Sequence, residues 1–383
     1  MRASEFTADA PGDLITIPGG MAYLPKPLPP ELALNWDLMG ANDRASRALG
    51  ELTGQARIVA NDALILGPLL TREAVESNRI EGTHTVVDEV LLQRAAGPPR
   101  DHVRANENLE VLRYMETATT AADVVAGGQP LNMYLLRALH EQLLSGTRGE
   151  SRHPGSLRTG YVFIGQDGDR VDDARFVPPP PEQVEPAMDA LVGFLQAEPP
   201  YPPLIACALM HYQFETIHPF EDGNGRLGRL LIPTYLLAHN VIDRPLLYLS
   251  EYFEAHRDDY VAHLKGVSTH GNWLSWVAFF LDAVRSQAVA ALARTDSVLE
   301  LASRYRERTR AGTRTQTPLA AIELIMERVY VSAPELADYA QRDYRTAKGA
   351  LETLAGLGIL MAVPGSYPQR WVAQELLDLV YRN

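Results

Sequence analysis

From Glu31 to about Gln93 the apolar residues Leu34, Leu38, Ala41, Ala45, Leu49, Leu52, Ala56 and Val59 recur at mixed three- and four-residue steps. That is the spacing of a helix with one buried face. Two further helical segments lie between Val103 and Leu144, R-A-N-E-N-L-E-V-L-R-Y-M and L-N-M-Y-L-L-R-A-L-H-E-Q-L-L. His140 sits within the apolar second one and reads as a core or packing histidine. Leu204 to Thr216 predicts a buried helix with Ile205, Leu209 and Tyr212 on one stripe. Trp273 to Val284 predicts another, followed by an Ala- and Arg-rich helical connector from about Gln287 to Arg310 and the linker R-A-G-T-R-T-Q-T-P. Two stretches depart from helical spacing. The run Tyr161–Ile164 beside an Asp-Gly turn predicts one arm of a short hairpin. From Pro318 the pattern is helix, turn, helix, then I-L-M-A-V-P-G-S-Y-P-Q-R-W-V-A as a hairpin, which is winged-helix order. Residues 1–30 end in Y-L-P-K-P-L-P-P, whose prolines predict an extended arm. The fold class is therefore mainly α.

Composition changes this picture little. The chain of 383 residues is 46% hydrophobic and 22% charged, an ordinary soluble balance. Its formal net charge of −13 argues against nonspecific binding to nucleic acid or anionic membranes. The single cysteine, Cys207, lies in an apolar helical run and excludes an intrachain disulfide. The first twenty residues have no apolar core of signal-peptide length, and no later run reads as long enough to cross a bilayer. A cytoplasmic protein with no membrane partner is expected. In the C-terminal segment six Lys and Arg stand against eight Asp and Glu, although Arg342, Arg345 and Lys348 cluster. DNA binding there is conceivable and not favoured over packing or target docking.

The chemistry concentrates in H-P-F-E-D-G-N-G-R-L-G-R, His218 to Arg229. Gly223, Asn224 and Gly225 let consecutive N–H groups point into one hollow, an anion nest. The run behind them, R-L-G-R-L-L-I, reads as a helix whose N-terminal N–H groups and dipole add to the attraction for phosphate. Arg226 and Arg229, three apart, share a face and each offers a forked set of donors. Asp222 suits Mg²⁺ bridging phosphates. Pro219 disfavours a helical conformation at His218, which places that imidazole in a loop above the nest. The run lacks the Lys and Ser/Thr of a Walker A loop.

These residues match H-x-F-x-[DE]-G-N-G-R-x-x-R at every fixed position, and the chain resembles the Fic family over nearly all its length. The resemblance implies ATP with Mg²⁺ as the ligand and transfer of AMP to a hydroxyl side chain of a protein. It makes His218 the general base, Asp222 the metal ligand, Gly223, Asn224, Gly225, Arg226, Leu227, Gly228 and Arg229 the ATP-binding stretch, and Phe220 the loop's anchor in the core. A second stretch, R-E-A-V-E-S-N-R-I-E-G-T, Arg72 to Thr83, puts Ser77 and Glu81 on one helix face, with Gly82 ending the helix. It is similar to the inhibitory motif [ST]-x-x-x-E-[GN] of many Fic proteins. By that resemblance Glu81 pairs with Arg229 and fills the space of the γ-phosphate.

The resemblance also implies a Fic-type helical core with a small hairpin flap. A target protein would dock on the flap near Tyr161–Ile164 by strand addition. Arg158, just before it, reads as structural or as approaching the site. The adenine pocket is expected near Tyr260, though the family's Tyr-Tyr pair here is Tyr260 then Val261. Pro233 is expected to kink the motif helix beyond its phosphate end. The expected organisation is an N-terminal arm (1–30), a helical region with the inhibitory motif (31–102), the Fic core (103–285), a connector (286–316) and a winged-helix-like domain (317–383). Alternatives are a nucleotide-sensing DNA-binding regulator, removal of AMP from a modified protein, and use of another phosphate-containing donor. A homodimer is left open.

Overall fold

The computed structural model describes residues 1–57, 63–99, 101–165 and 174–381. Among them fifteen α-helices accompany two small sheets, so the chain is mainly α. It forms two compact units. The first comprises Met1–Thr53, Glu76–Thr83 and Arg113–Val289; the second comprises Gly54–Val75, His84–Leu112 and Ala290–Asn383. The stretch 31–102 is thus divided: residues 31–53 and the Glu76–Thr83 piece, which carries Ser77 and Glu81, belong to the first unit, and the rest belongs to the second.

The first unit begins with an antiparallel hairpin of β1 (Gly12–Ile17) and β2 (Gly20–Pro25). Residues 1–30, expected as an extended arm, therefore double back. The reason is visible in D-L-I-T-I-P-G-G: a β-branched strand meets a Pro-Gly-Gly turn whose Gly19 has φ of 85°. Ile17, Ala22 and Tyr23 pack with Ala174 and Val177 in a small apolar cluster, and Tyr23 N–H donates to the Val177 carbonyl at 3.0 Å. In chain order helix α1 (Trp36–Ala56) follows, then α2 (Ala63–Ile80), α3 (Val87–Ala96), α4 (His102–Ala126) and α5 (Met133–Leu144), of which α3, α2 up to Val75 and α4 up to Leu112 belong to the second unit. Helix α6 (Pro181–Gln196) leads to α7 (Pro203–Ile217), thirteen of whose residues are buried, and to α8 (Asn224–Ala238), which continues through Pro233. Helices α7 and α8 pack on each other as the centre of the unit. The short α9 (Ser250–Ala255) and α10 (Arg257–His270) precede α11 (Trp273–Gly312).

The two helical segments expected after Trp273 are one helix of 40 residues, because no Gly or Pro interrupts it before Gly312. Contrary to the sequence reading, α11 does contain a window long and apolar enough to cross a membrane. Its apolarity has a plainer cause: Trp276, Val277, Phe280, Leu281 and Val284 are buried in the protein.

In the second unit α12 (Thr317–Arg328), β3 (Tyr330–Ser332), α13 (Ala333–Tyr339), α14 (Tyr344–Gly356), β4 (Met361–Ala362), β5 (Arg370–Val372) and α15 (Gln374–Tyr381) follow in order. The sheet is antiparallel, with β5 between β3 and β4. Ile322, Ile325, Val331, Leu336, Leu351, Leu354, Trp371 and Leu376 form its core.

Candidate active site

The loop between α7 and α8 carries the chemistry, and its shape follows from three local devices. His218 ends α7 in the left-handed region, with φ of 50° and ψ of 62°, a conformation that costs about 1–2 kcal/mol outside glycine. Phe220 is fully buried, and Asn224 fixes its backbone from both sides: Phe220 N–H donates to Asn224 Oδ1 at 2.9 Å while Asn224 Nδ2 donates to the Phe220 carbonyl at 2.9 Å. The Asn224 side chain is therefore a staple, and only its backbone belongs to the nest. From α5, His140 stacks on the Phe220 ring with centroids 3.7 Å apart. Its Nδ1 accepts from Gly155 N–H at 2.9 Å, which leaves the proton on Nε2 to donate to the Asp222 carbonyl at 2.8 Å. Burial depresses this imidazole to about 4, so it works as a neutral donor. The packing role read for His140 thus includes holding the loop's backbone.

Removal of the Asn224 staple has a measurable cost. Asn224→Ala would leave a buried N–H and a buried carbonyl of Phe220 unmatched, at about 1–3 kcal/mol each. Denaturant titration is expected to show a loss of about 2–6 kcal/mol; a change within about 0.5 kcal/mol, the size of a neutral surface substitution, would contradict the assignment.

Glycine is required twice in the turn. Gly223 has φ of 77° before the first residue of α8. At Gly225 a Cβ would collide with the Glu81 carboxylate and come within 2.9 Å of Arg229 Nη1. No side chain caps the N-terminus of α8, and an uncapped helix start of this kind favours an anion. Asp222 Oδ1 accepts from Gly223 N–H at 2.6 Å and from Arg226 Nη2 at 3.1 Å. Its Oδ2 points toward Gly149, where a Cβ would stand 3.0 Å away. A partly exposed carboxylate beside an uncapped helix start would suit Mg²⁺, which takes one or two carboxylates and completes its shell with phosphate and water. Among the described residues no group of three or more His, Cys, Asp or Glu gathers as a metal cage, so the ion would depend on the nucleotide.

Arg226 and Arg229 are both buried on the α8 face. Arg229 reaches α2, where Nε donates to Ser77 Oγ at 2.9 Å, Nη2 to the Ser77 carbonyl at 2.8 Å, and Nη2 again to Glu81 Oε1 at 2.7 Å. Gly82, with φ of 88°, closes the helix as its N–H donates to the Arg79 carbonyl at 2.9 Å. Burial disfavours the charged form of Glu81, but the adjacent Arg229, with Arg226 and His218 near, holds its carboxyl below the usual range. The structure thus brings Ser77, Glu81 and Arg229 together directly over Gly225.

His218 Nδ1 lies 3.2 Å from the Glu215 carbonyl, which can only accept. The proton is on Nδ1 and the Nε2 lone pair remains for a substrate. Burial, with the Arg158 cation adding to it, lowers this imidazole to about 4, so the ring is neutral at physiological pH. Leu227 and Gly228 lie on the buried side of α8, where Gly228 permits the close approach of α7: a Cβ there would meet the Glu215 carboxylate and stand 3.0 Å from the Phe214 ring.

Tyr260 requires a correction. It is 4% exposed, its ring stacks on Phe253 with centroids 4.5 Å apart, and its hydroxyl donates to His211 Nε2 at 2.8 Å. Its faces are closed to an adenine ring. The apolar neighbours Phe253 and Trp276 draw the aromatic body inward, and His211 supplies the partner that a buried phenol needs. The expected hairpin near Tyr161–Ile164 is represented by one antiparallel bridge, with Ile164 and Phe176 exchanging hydrogen bonds of 2.9 and 3.0 Å. Its Asp-Gly turn lies outside the described residues.

Glu215 was not singled out by the sequence. Burial raises its carboxyl to about 7, with Arg229 opposing and Glu81 assisting the shift. A group whose folded value lies above its unfolded one stabilises fully below the unfolded value and loses that contribution as pH rises through the folded value. The melting temperature is therefore expected to fall between about pH 5 and about pH 8 by more in the wild type than in Glu215→Gln. Parallel curves for the two proteins would contradict this.

A family model described as Fic/DOC family matches residues 130–236, and one described as Fic/DOC family N-terminal matches residues 39–123. The chain belongs to the Fic family. A protein adenylyltransferase Fic of Nematostella vectensis is 29% identical over 172 residues, covering 42% of this chain and 36% of that protein. A probable protein adenylyltransferase of Aquifex aeolicus is 34% identical over 85 residues, covering 22% of this chain and 27% of that protein. The chain thus spans about a third or less of the length of the curated relatives it matches. A crystal structure of a Fic family protein from Desulfovibrio desulfuricans G20 superposes with a TM-score of 0.58 at 20% identity, covering 90% of this chain and 98% of that one. Fic-1 from C. elegans gives a TM-score of 0.53 at 19% identity, over 69% and 74% of the two chains. These likenesses extend the Fic fold to most of the chain.

Proposed function

We propose that this Fic protein is a self-inhibited protein adenylyltransferase that moves AMP from ATP to a Ser, Thr or Tyr hydroxyl of a target protein. The observation that carries the reading is the convergence at one loop–helix junction of the His218 Nε2 lone pair, the uncapped start of α8, Asp222 and two buried arginines. The curated relatives named as protein adenylyltransferases support the same reaction.

In this reading the N–H groups at Asn224 and Gly225 receive phosphate oxygens, and Arg226 and Arg229 neutralise the distal phosphates. Asp222 would hold Mg²⁺, which when bound would offset the negative charge of the phosphates. His218 Nε2 takes the proton of the incoming hydroxyl. The hydroxyl oxygen bonds to the α-phosphorus, the bond from that phosphorus to the bridging oxygen breaks, and pyrophosphate leaves. Little covalent work falls to the protein; positioning and charge stabilisation supply the rate. Glu81 occupies the Arg229 fork, so the γ-phosphate has no partner until the carboxylate withdraws. The target is read as docking along the Ile164–Phe176 bridge, beside which Tyr161 and Phe163 are 40% and 41% exposed. The order of α12, β3, α13, α14, β4 and β5 supports a winged-helix-like reading of the C-terminal part.

The test is mass spectrometry of a cell lysate treated with ATP and the Glu81→Gly protein. Peptides carrying AMP on a hydroxyl residue are expected. Their absence, with ATP bound, would remove the reading.

A further inference from the structure

Arg158 is 3% exposed, and every side-chain hydrogen bond recorded for it goes to a backbone carbonyl. Nε donates to the His218 carbonyl at 2.8 Å, Nη2 to Ile217 at 3.3 Å and to Pro179 at 2.6 Å, and Nη1 to Gly160 at 3.1 Å. Its own N–H donates to the Pro219 carbonyl at 3.0 Å. Among the described residues this guanidinium is held only by neutral acceptors, an expensive way to fill a core, since a desolvated charge gains less from neutral carbonyls than from a counter-ion. Burial accordingly lowers Arg158 to about 10. Two of the four carbonyls belong to the last residues of α7, where orphan oxygens and the negative end of the helix dipole favour a cation. The other two lie before and after the bridged strands Ile164 and Phe176.

We propose that Arg158 is a positioning residue of the transfer reaction: it caps the end of α7, holds His218 in its left-handed conformation, and ties the base to both limbs of the flap. The proposal rests on the adenylyltransferase reading. One planar fork satisfies acceptors in four directions, which the single ammonium of lysine does not reproduce. The charge has a second effect. The groups facing the His218 imidazole are Arg158, Glu81 from α2, Asp222 from the loop and the Glu215 carbonyl from α7. Among the charged ones Arg158 opposes imidazolium while Glu81 and Asp222 favour it.

The test compares the full-length Glu81→Gly protein with its Arg158→Lys and Arg158→Gln derivatives. Initial rates with α-labelled ATP and lysate protein give kcat and the KM for ATP. The His218 ring signal, assigned by its loss in His218→Ala, is titrated by NMR. Arg158→Lys keeps the cation and loses the fork: kcat is expected to fall roughly 10²-fold, the cost of displacing a reacting group by about an ångström. The KM for ATP should stay within about twofold, because the nucleotide's own ligands are untouched, and the His218 titration should not move. Arg158→Gln loses the charge, so the His218 titration should move to higher pH as well as kcat falling. Unchanged kcat in both derivatives, a rise in KM alone, or an unmoved titration in Arg158→Gln would overturn the proposal. So would failure of both to fold, which would make Arg158 a purely structural residue. If the Glu81→Gly parent itself transfers no label, the adenylyltransferase reading fails, while the titration still tests the hold of Arg158 on His218.

Discussion

Glu81→Gly is expected to raise label transfer from α-labelled ATP to protein by about 30- to 150-fold. The figure follows from the contact removed. Glu81 and the γ-phosphate compete for the same Arg229 nitrogen, and a charge-assisted bond of this kind is worth about 2–3 kcal/mol. If that amount separates the blocked from the productive pose, its removal multiplies the productive population by the corresponding factor. The Ser77 contacts to Arg229 remain, so the guanidinium stays in place after the carboxylate is gone. The ion pair also sets a pH expectation. Because the Glu81 carboxyl is held below its usual range, the contribution of the pair is present above the unfolded value and is lost only as pH falls through the lower folded one. Mild acidification alone should not release the wild type. Label transfer that is equal in wild type and Glu81→Gly would refute the inhibitory role of this carboxylate.

His218→Ala in the Glu81→Gly background is expected to reduce transfer by about 10²–10⁴-fold, the usual contribution of a positioned general base. ATP should still raise the melting temperature, since the N-terminus of α8 and both arginines are left intact. The active parent should also lack a histidine inflection between about pH 6 and about pH 7. His218 is depressed to about 4 by burial and by Arg158, so it remains a competent base down to that value. Its folded value lies below the unfolded one, so protonation also weakens the fold as pH falls toward 4, together with that of the neutral, buried His140. Residual transfer by His218→Ala at the parent's rate would assign the base elsewhere.

The helices were legible because their apolar spacing persists over several turns, as in α4, α5 and α7. The hairpin β1–β2 was missed because its short alternating strands are followed by a proline-rich stretch that reads as an extended arm. α11 was divided because its composition changes midway while nothing in the backbone stops the helix. The loop at His218 and the helix that follows Gly223 could be read from the motif, since its residues are contiguous and their conformations follow from one turn of backbone. Tyr260 was misread because a tyrosine in an aromatic-rich stretch looks alike whether its face is open or covered.

Linear order alone therefore determined the glycine-containing turn, the helix behind it and the chemical kinds of its side chains, which are local consequences of glycine, proline and helical periodicity. Tertiary structure alone decided which distant groups reach that turn: Glu81 on Arg229 from 148 positions away, His140 beneath Phe220, and Arg158 on the carbonyl of His218. A chain encodes local conformation residue by residue. Contacts between remote segments depend on how helices pack, and burial alone settles which of their charged groups are held neutral, paired or capped.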